Sequence, residues 1–221
     1  MSVLSDLPAL VSTRHEYDHL FSIYVPIATG VVIVIYLAVL VVVLVGRRRP
    51  PERAARWHEN NRLEGSYALL LACVVVFLLY LTFGAEHRVD TVANREPPAL
   101  IVNVTGSKWE WTFTYPHYRF SVRSGTVGRQ PLVVPAGETI RFEIASVDVI
   151  HSFWVPALRY KHDAIPGSEQ LATLTFPSGV FSGECVEFCG LRHSDMVFFV
   201  HAVDPARFRA WAAAGGRGTT P

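Results

Sequence analysis

Cys185-Val-Glu187-Phe-Cys189-Gly-Leu-Arg-His193-Ser-Asp-Met196 sets two thiols, an imidazole and a thioether within twelve residues. A second imidazole lies upstream, in Asp148-Val-Ile-His151-Ser-Phe-Trp. Sulfur combined with imidazole favours copper, zinc or iron–sulfur chemistry. Zinc has no use for a thioether, whereas a weak axial Met belongs to copper electron-transfer sites. A mononuclear site of that kind takes one Cys. Two thiols on one loop match a pair of coppers bridged by two thiolates. Three other readings compete. A Cys185–Cys189 disulfide would close a small, strained loop. Buried thiols can be plain small hydrophobes, but the Glu, His and Met around them speak against that. A zinc site on Cys185, Cys189, His193 and His151 is a legitimate tetrahedron, and on these four residues alone it stands level with copper.

A loop of ligands needs a rigid frame, and the flanking sequence supplies strands. From Ala99 onward the pattern has period two. Ile101-Val-Asn-Val-Thr, Trp109-Glu-Trp-Thr-Phe-Thr-Tyr and His117-Tyr-Arg-Phe-Ser-Val read as strands. So do Leu132-Val-Val, Thr139-Ile-Arg-Phe-Glu-Ile, Leu171-Ala-Thr-Leu-Thr-Phe and Met196-Val-Phe-Phe-Val-His-Ala-Val. Pro and Gly punctuate them at Pro135-Ala-Gly137, Pro166-Gly167 and Ser178-Gly179. Short strands with such turns predict a β-sandwich or barrel over 99–214. Asp204-Pro205 predicts the N-cap and first position of a closing helix. Residues 215–221 read as a disordered tail.

The N-terminal part is of another kind. The chain has 221 residues, half of them hydrophobic, and a mean hydropathy of +0.27, which calls for a search for membrane spans. Phe21–Val45 and Gly65–Ala85 carry no charge over 25 and 21 residues. Each is long enough to cross a bilayer as a helix. The expected hairpin covers 21–85, with spans 21–45 and 65–85. Residues 1–20 form an external tail, and Pro26 falls near the outer end of the first span. Arg47, Arg48, Arg49, Arg53, Arg56 and Arg62 crowd the connector 46–64, against Arg14 alone in the tail. Basic residues stay in the cytoplasm, so both termini and the C-terminal domain lie outside. Without a basic n-region the first span does not read as a cleaved signal peptide. Residues 86–98 are charged and end in Pro97-Pro98, which reads as a linker. The lone Cys73 reads as a packing residue, and His117, His162 and His201 as structural. No nucleic-acid partner is expected.

The loop pattern Cys-x-Glu-x-Cys-x-x-x-His-x-x-Met resembles the binuclear copper (CuA) loop of cytochrome c oxidase subunit II, with every position filled. Asp148-Val-Ile-His151-Ser-Phe-Trp-Val-Pro156, Lys161-His-Asp163-Ala-Ile-Pro166-Gly167 and Gly106-Ser-Lys-Trp109-Glu-Trp111 are similar to the same family. The resemblance runs from about residue 17 to about residue 203. It implies a membrane-anchored, cupredoxin-like Greek-key β-barrel behind a transmembrane helical hairpin. It implies Cys185 and Cys189 as bridging thiolates, His151 and His193 as terminal ligands, and Met196 and the Glu187 carbonyl as axial ligands. The Glu187 side chain would face a magnesium ion at the junction with the catalytic subunit, a hard cation suited to a carboxylate. Trp109 matches the family's electron-entry indole, and Glu64 matches a carboxylate at the mouth of a proton pathway. Glu64 has a plainer reading as an interfacial residue paired with Arg62.

The implied function is that of the electron-entry subunit of a haem–copper terminal oxidase in a bacterial plasma membrane. Its partners would be catalytic subunit I, the other oxidase subunits, the lipid bilayer, and cytochrome c or another small redox donor. The same subunit could serve a nitric oxide reductase of that superfamily, and a membrane-anchored copper carrier is a reading of a different class. Two departures stand out. Gly106–Pro131 holds Lys108, Arg119, Arg123 and Arg129 against a single acid, Glu110, so it forms no strong negative patch for a basic cytochrome. Ser168 stands where the family often has Arg.

Overall fold

The computed structural model describes residues 13–47, 59–93 and 97–217. These fall into two compact units, one of which is the helical hairpin of residues 16–87. Helix α1 spans Thr13–Gly46 and buries none of its residues; α2 spans Asn61–Ala93. Both contain segments long and apolar enough to cross a membrane. Where water is absent, only helices satisfy every backbone group within the segment. Between the helices, the Tyr24 hydroxyl donates to the Leu78 carbonyl at 2.8 Å and meets Thr82 Oγ1 at 2.6 Å.

Both helices outrun the apolar stretches. α1 begins at Thr13, inside the expected tail, so Pro26 lies in the helix interior and not in its first turn. α2 continues into the expected linker, because residues 86–93 contain no Gly or Pro and extending a helix costs little once it is nucleated. Asn60 caps α2: its Oδ1 accepts from the Leu63 N–H at 3.0 Å. The Glu64 carboxylate reaches back towards the Asn60 N–H at 3.5 Å, a loose form of the reciprocal cap. Residues 1–12, most of the Arg-rich connector (48–58), residues 94–96 and the last four residues lie outside the described residues.

The C-terminal unit is a sandwich of two five-stranded sheets. Its strands are β1 (Leu100–Ser107), β2 (Glu110–Tyr115), β3 (Phe120–Gly125), β4 (Leu132–Pro135), β5 (Thr139–Ser146), β6 (His151–Val155), β7 (Tyr160–Ala164), β8 (Gln170–Thr175), β9 (Gly179–Cys185) and β10 (Val197–Val203). One sheet runs β3-β2-β1-β5-β8 and the other β4-β10-β9-β6-β7. The pairs β1/β5 and β4/β10 are parallel, the rest antiparallel.

Strict alternation on β1, β2 and β5 aims Val102, Val104, Trp111, Phe113, Phe142 and Ile144 inward. They meet Phe153 and Phe198 of the other sheet. The Phe153 and Phe198 rings stack at 4.8 Å, and Trp111 packs edge-on against both. Each such side chain contributes roughly 1.5–3 kcal/mol by leaving water. Gly183 admits the Phe198 ring: a Cβ there would fall 2.1 Å from it.

Three strands escape the period-two reading of the sequence. β6 is buried on both faces apart from Trp154. β7 is an edge strand bearing Lys161, His162 and Asp163, charges that guard an open edge. β9 contains two glycines, which weaken strand propensity. Trp109, expected to open a strand, lies instead in the two-residue turn between β1 and β2. His117 falls in the 3-10 turn Pro116–Tyr118.

Helix α3 (Pro205–Ala213) closes the domain, and the Asp204 carboxylate accepts from Ala206 and Arg207 as its cap. Gly215 and Gly216, expected to be disordered, end it instead. Their N–H groups bond the Ala212 and Trp211 carbonyls, and both have positive φ, which is the Schellman pattern.

Tyr115 ties the sheets together. Its buried hydroxyl donates to the Val133 carbonyl and accepts from the Val133 N–H, at 2.8 and 2.9 Å. Tyr115→Phe leaves both backbone groups buried and unpaired, at about 1–3 kcal/mol each. A drop of several degrees in the thermal midpoint of the chain, followed by near-ultraviolet circular dichroism in detergent, is the expected outcome.

Candidate metal centre

The centre sits where β6 begins and β9 ends. Antiparallel pairing sets Phe153 opposite Cys185, which brings His151, two residues earlier, alongside the thiol. The loop leaving Cys185 turns back into β10, stitched by Cys185 N–H to Met196 O (3.0 Å) and Val186 N–H to Ser152 O (3.2 Å). Within it, a 3-10 turn, His193–Asp195, swings His193 and Met196 inward.

The donor atoms follow one another in a row. His151 Nδ1 lies 3.9 Å from Cys185 Sγ, which lies 3.9 Å from Cys189 Sγ. Cys189 Sγ lies 3.5 Å from His193 Nδ1 and 4.0 Å from Met196 Sδ. The Glu187 carbonyl oxygen is 3.3 Å from Cys185 Sγ. His151 and Met196 are fully buried, and both thiols are free and nearly so. A disulfide requires about 2.05 Å between sulfurs, whereas two metal–thiolate bonds of about 2.3 Å span up to roughly 4.6 Å. The spacing therefore suits thiolates sharing metal. His151, Cys185 and Cys189 form a cluster with all donor atoms within 4.8 Å. His193 is joined to this cluster through Cys189.

Burial resists charge on both thiols. For Cys185 the hydrogen bond with His151 and those with nearby backbone outweigh burial and bring the thiol down to about 7. Burial and the facing Cys185 charge push Cys189 up to about 12. One of the two thus ionises readily before any metal arrives, and a metal ion removes the remaining proton on binding. Burial disfavours the His151 cation, but Cys185 and Asp148 prevail and raise its pKa.

The sequence gives Asp148 no role beyond its place in the His151 motif. In the fold its Oδ1 sits 2.9 Å from His151 Nε2. Its two oxygens also accept the backbone N–H groups of Val149 (2.7 Å) and Lys108 (2.8 Å). Burial acts to raise this carboxyl; the hydrogen bond from His151 and those from the two backbone groups win and hold it at about 2. With Nε2 holding its proton towards Asp148, the Nδ1 lone pair is free to face Cys185, the usual arrangement behind a metal-bound imidazole. An Asp three residues before a candidate ligand is the signal that could have found it. Gly106 is a second contributor: a Cβ there would lie 2.9 Å from His151 Cδ2 and 3.2 Å from Trp111. Trp111 is buried against the His151 ring at 6.0 Å.

Trp109 is half-buried beside the loop, and its indole N–H donates to the Cys189 carbonyl at 3.2 Å. Glu187 is half-buried. The Phe188 ring, 80% exposed, packs on His193 at 5.9 Å. Asp163 accepts from Ser152 Oγ at 2.7 Å behind β6, and Ser168 accepts from Gln170 at 2.8 Å. Glu64 belongs to the helical unit, and Cys73 is exposed on α2.

Comparison with known proteins agrees with this geometry. Residues 100–203 match the model of the cytochrome c oxidase subunit II periplasmic domain. Cytochrome c oxidase subunit 2 of Alkalihalophilus pseudofirmus is 31% identical over 203 residues, covering 88% of this chain and 57% of the relative. That of Bacillus subtilis is 32% identical over 151 residues, covering 65% and 41%. The chain thus spans about half the length of these curated relatives. The crystal structure of the periplasmic domain of Bradyrhizobium japonicum cytochrome oxidase subunit II is 30% identical, with a TM-score of 0.52, covering 55% of this chain and 96% of that one. Two apolar helices ahead of such a domain describe a membrane-anchored protein with an external domain. The chain belongs to the cytochrome c oxidase subunit II family.

Proposed function

We propose that this chain is the electron-entry subunit of a haem–copper terminal oxidase in a bacterial plasma membrane, and that its centre holds two coppers. The observation that carries the reading is the order of the donors. His151, Cys185, Cys189 and His193 follow one another at 3.5–3.9 Å, with Met196 and the Glu187 carbonyl each flanking one thiol. A row with a sulfur pair in its middle suits two metals sharing two thiolates. A single zinc would gather four donors around one point and leave the buried thioether of Met196 without a function.

Such a copper pair, when bound, exchanges single electrons with little change in its bonds. The chain's own residues account for the rest. Cys185 and Cys189 would hold the coppers through their sulfurs, His151 and His193 through ring nitrogens, and Met196 and the Glu187 carbonyl as weaker donors. Asp148 and the strand register fix the His151 ring, so that geometry is set by the protein. Trp109 touches the metal loop through the Cys189 carbonyl and keeps part of its ring at the surface, which supports its role as the point of electron entry. Electrons then leave for haem in the catalytic subunit, where oxygen is reduced. The Glu187 side chain is assigned to magnesium at that junction. Glu64 is assigned to the cytoplasmic mouth of a proton pathway. The hydrogen bond from the Asn60 N–H gives it a capping function as well.

Copper reconstitution of the full chain is expected to give two coppers per chain. Its electron paramagnetic resonance spectrum would show one unpaired electron shared between two nuclei. One copper, or a colourless zinc protein, would end the binuclear reading. Trp109→Phe is expected to keep the metal content and spectrum while slowing reduction by an external protein donor at least about tenfold, the equivalent of about 1.4 kcal/mol of barrier; an unchanged rate removes the indole from the path. Glu64→Gln retains an oxygen that can accept from Asn60, so only the charge is lost. Slower turnover of the assembled oxidase with an unaltered copper spectrum is the expected result, and full turnover would remove Glu64 from the proton pathway.

A further inference from the structure

Three chain segments meet around Trp109, and each brings an exposed aliphatic side chain. The Thr126 N–H donates to the Trp109 carbonyl at 3.1 Å, and the next residue, Val127, is 79% exposed. Gly190 lies against the indole, where a Cβ would sit 3.4 Å from the ring, and Leu191 beside it is 91% exposed. Asp148 accepts the Lys108 N–H, and Val147 before it is 70% exposed. Val127, Val147 and Leu191 thus each adjoin a residue that touches the Lys108–Trp109 turn, beside the half-buried indole. Exposed apolar groups beside one redox-competent ring mark a contact surface.

The charges around this ring do not balance. Arg123 is paired with Glu110 at 3.5 Å, and the second oxygen of Glu110 is buried. Arg192 is paired with Asp195 at 3.0 Å. Asp148 is engaged by His151 and two backbone groups. Lys108, in the turn with Trp109, and Arg129, at the foot of the Val127 loop, are exposed and have no ion partner among the described residues. Glu187 is the remaining carboxylate of the metal loop, and it is assigned above to the catalytic-subunit side. The rim facing a donor is thus apolar and carries two uncompensated positive charges.

We propose that this face docks a small redox protein whose own contact patch is apolar and rimmed by carboxylates. The proposal rests on the electron-entry reading and specifies its partner. The three aliphatic side chains seat the donor's exposed redox edge at Trp109, while Lys108 and Arg129 steer it. Charge complementarity of this kind acts mainly on the association rate and on partner choice. One electron leaves the donor's reduced centre, which is oxidised by one unit, and the copper site is reduced by one unit. No bond forms and no proton moves.

The test uses the metal-loaded full chain and one c-type cytochrome in two forms of matched potential. One form keeps its surface lysines, and the other has them replaced by glutamate. Bimolecular reduction rates are measured by stopped flow between about 10 mM and 200 mM salt, over which the screening length falls several-fold from about 30 Å. The acidic form is expected to react about tenfold faster at low salt, with steering of the order seen for such pairs, and to lose the advantage as salt rises. The double variant Lys108→Glu with Arg129→Glu should invert the preference without altering the copper spectrum. A faster basic form, or equal rates at every salt concentration, would overturn the proposal. If neither form reduces a centre that dithionite does reduce, the electron-entry reading falls with it, and that pattern separates the two failures.

Discussion

His151 and Cys185 meet because β6 and β9 pair with Phe153 opposite Cys185. Side chains alternate along a strand, so a slip of one residue would turn His151 away from the thiol and Phe153 out of the core. The core and the metal centre therefore depend on the same register. Phe153 stacks on Phe198 of β10, and β10 begins where the metal loop ends, at Met196. The aromatic layer that excludes water from the sandwich also fixes both ends of the loop carrying five of the six proposed donors. Rigidity suits electron exchange, because ligands that hardly move leave little to reorganise.

Asp148 extends that frame to the surface. One carboxylate accepts from a proposed ligand, His151, and from the backbone of the turn that presents Trp109. The indole in turn donates to the carbonyl of Cys189. The metal loop, the β1–β2 turn and the segment before β6 thus share one hydrogen-bonded network, and such networks hold better than their separate bonds. Gly106 completes it by absence, since the His151 ring occupies the place its side chain would take.

The helical unit obeys different constraints. Neither helix buries much surface among the described residues, and their length and apolar composition suit a lipid surrounding. Among their polar contacts are that of Tyr24 with Leu78 and Thr82 and the cap at Asn60. Each satisfies backbone or hydroxyl groups locally, as an apolar surrounding requires. Glu64 has two assignments on one carboxylate, the N-terminal cap and the proposed proton entry.

Local chemistry is what the sequence by itself determined. Donor types and their spacing named Cys185, Cys189, His193, Met196 and His151. Charge-free runs located the helices, and Asp204-Pro205 located the start of α3, because each signal lies within a few neighbouring residues. Helix ends were less legible, since propagation carries a helix past its apolar stretch. Strands β6, β7 and β9 were hidden: burial on both faces, edge charges and glycines each erase the period-two pattern. The hydrogen bond from Lys108 to Asp148, the position of Trp109 in a turn against Cys189, and which of the charges around that indole are paired were decided only by the tertiary structure. The Lys108–Asp148 and Trp109–Cys189 hydrogen bonds join segments roughly 40 to 80 residues apart, and contacts at that range are fixed by sheet register and packing, which no local window of sequence contains.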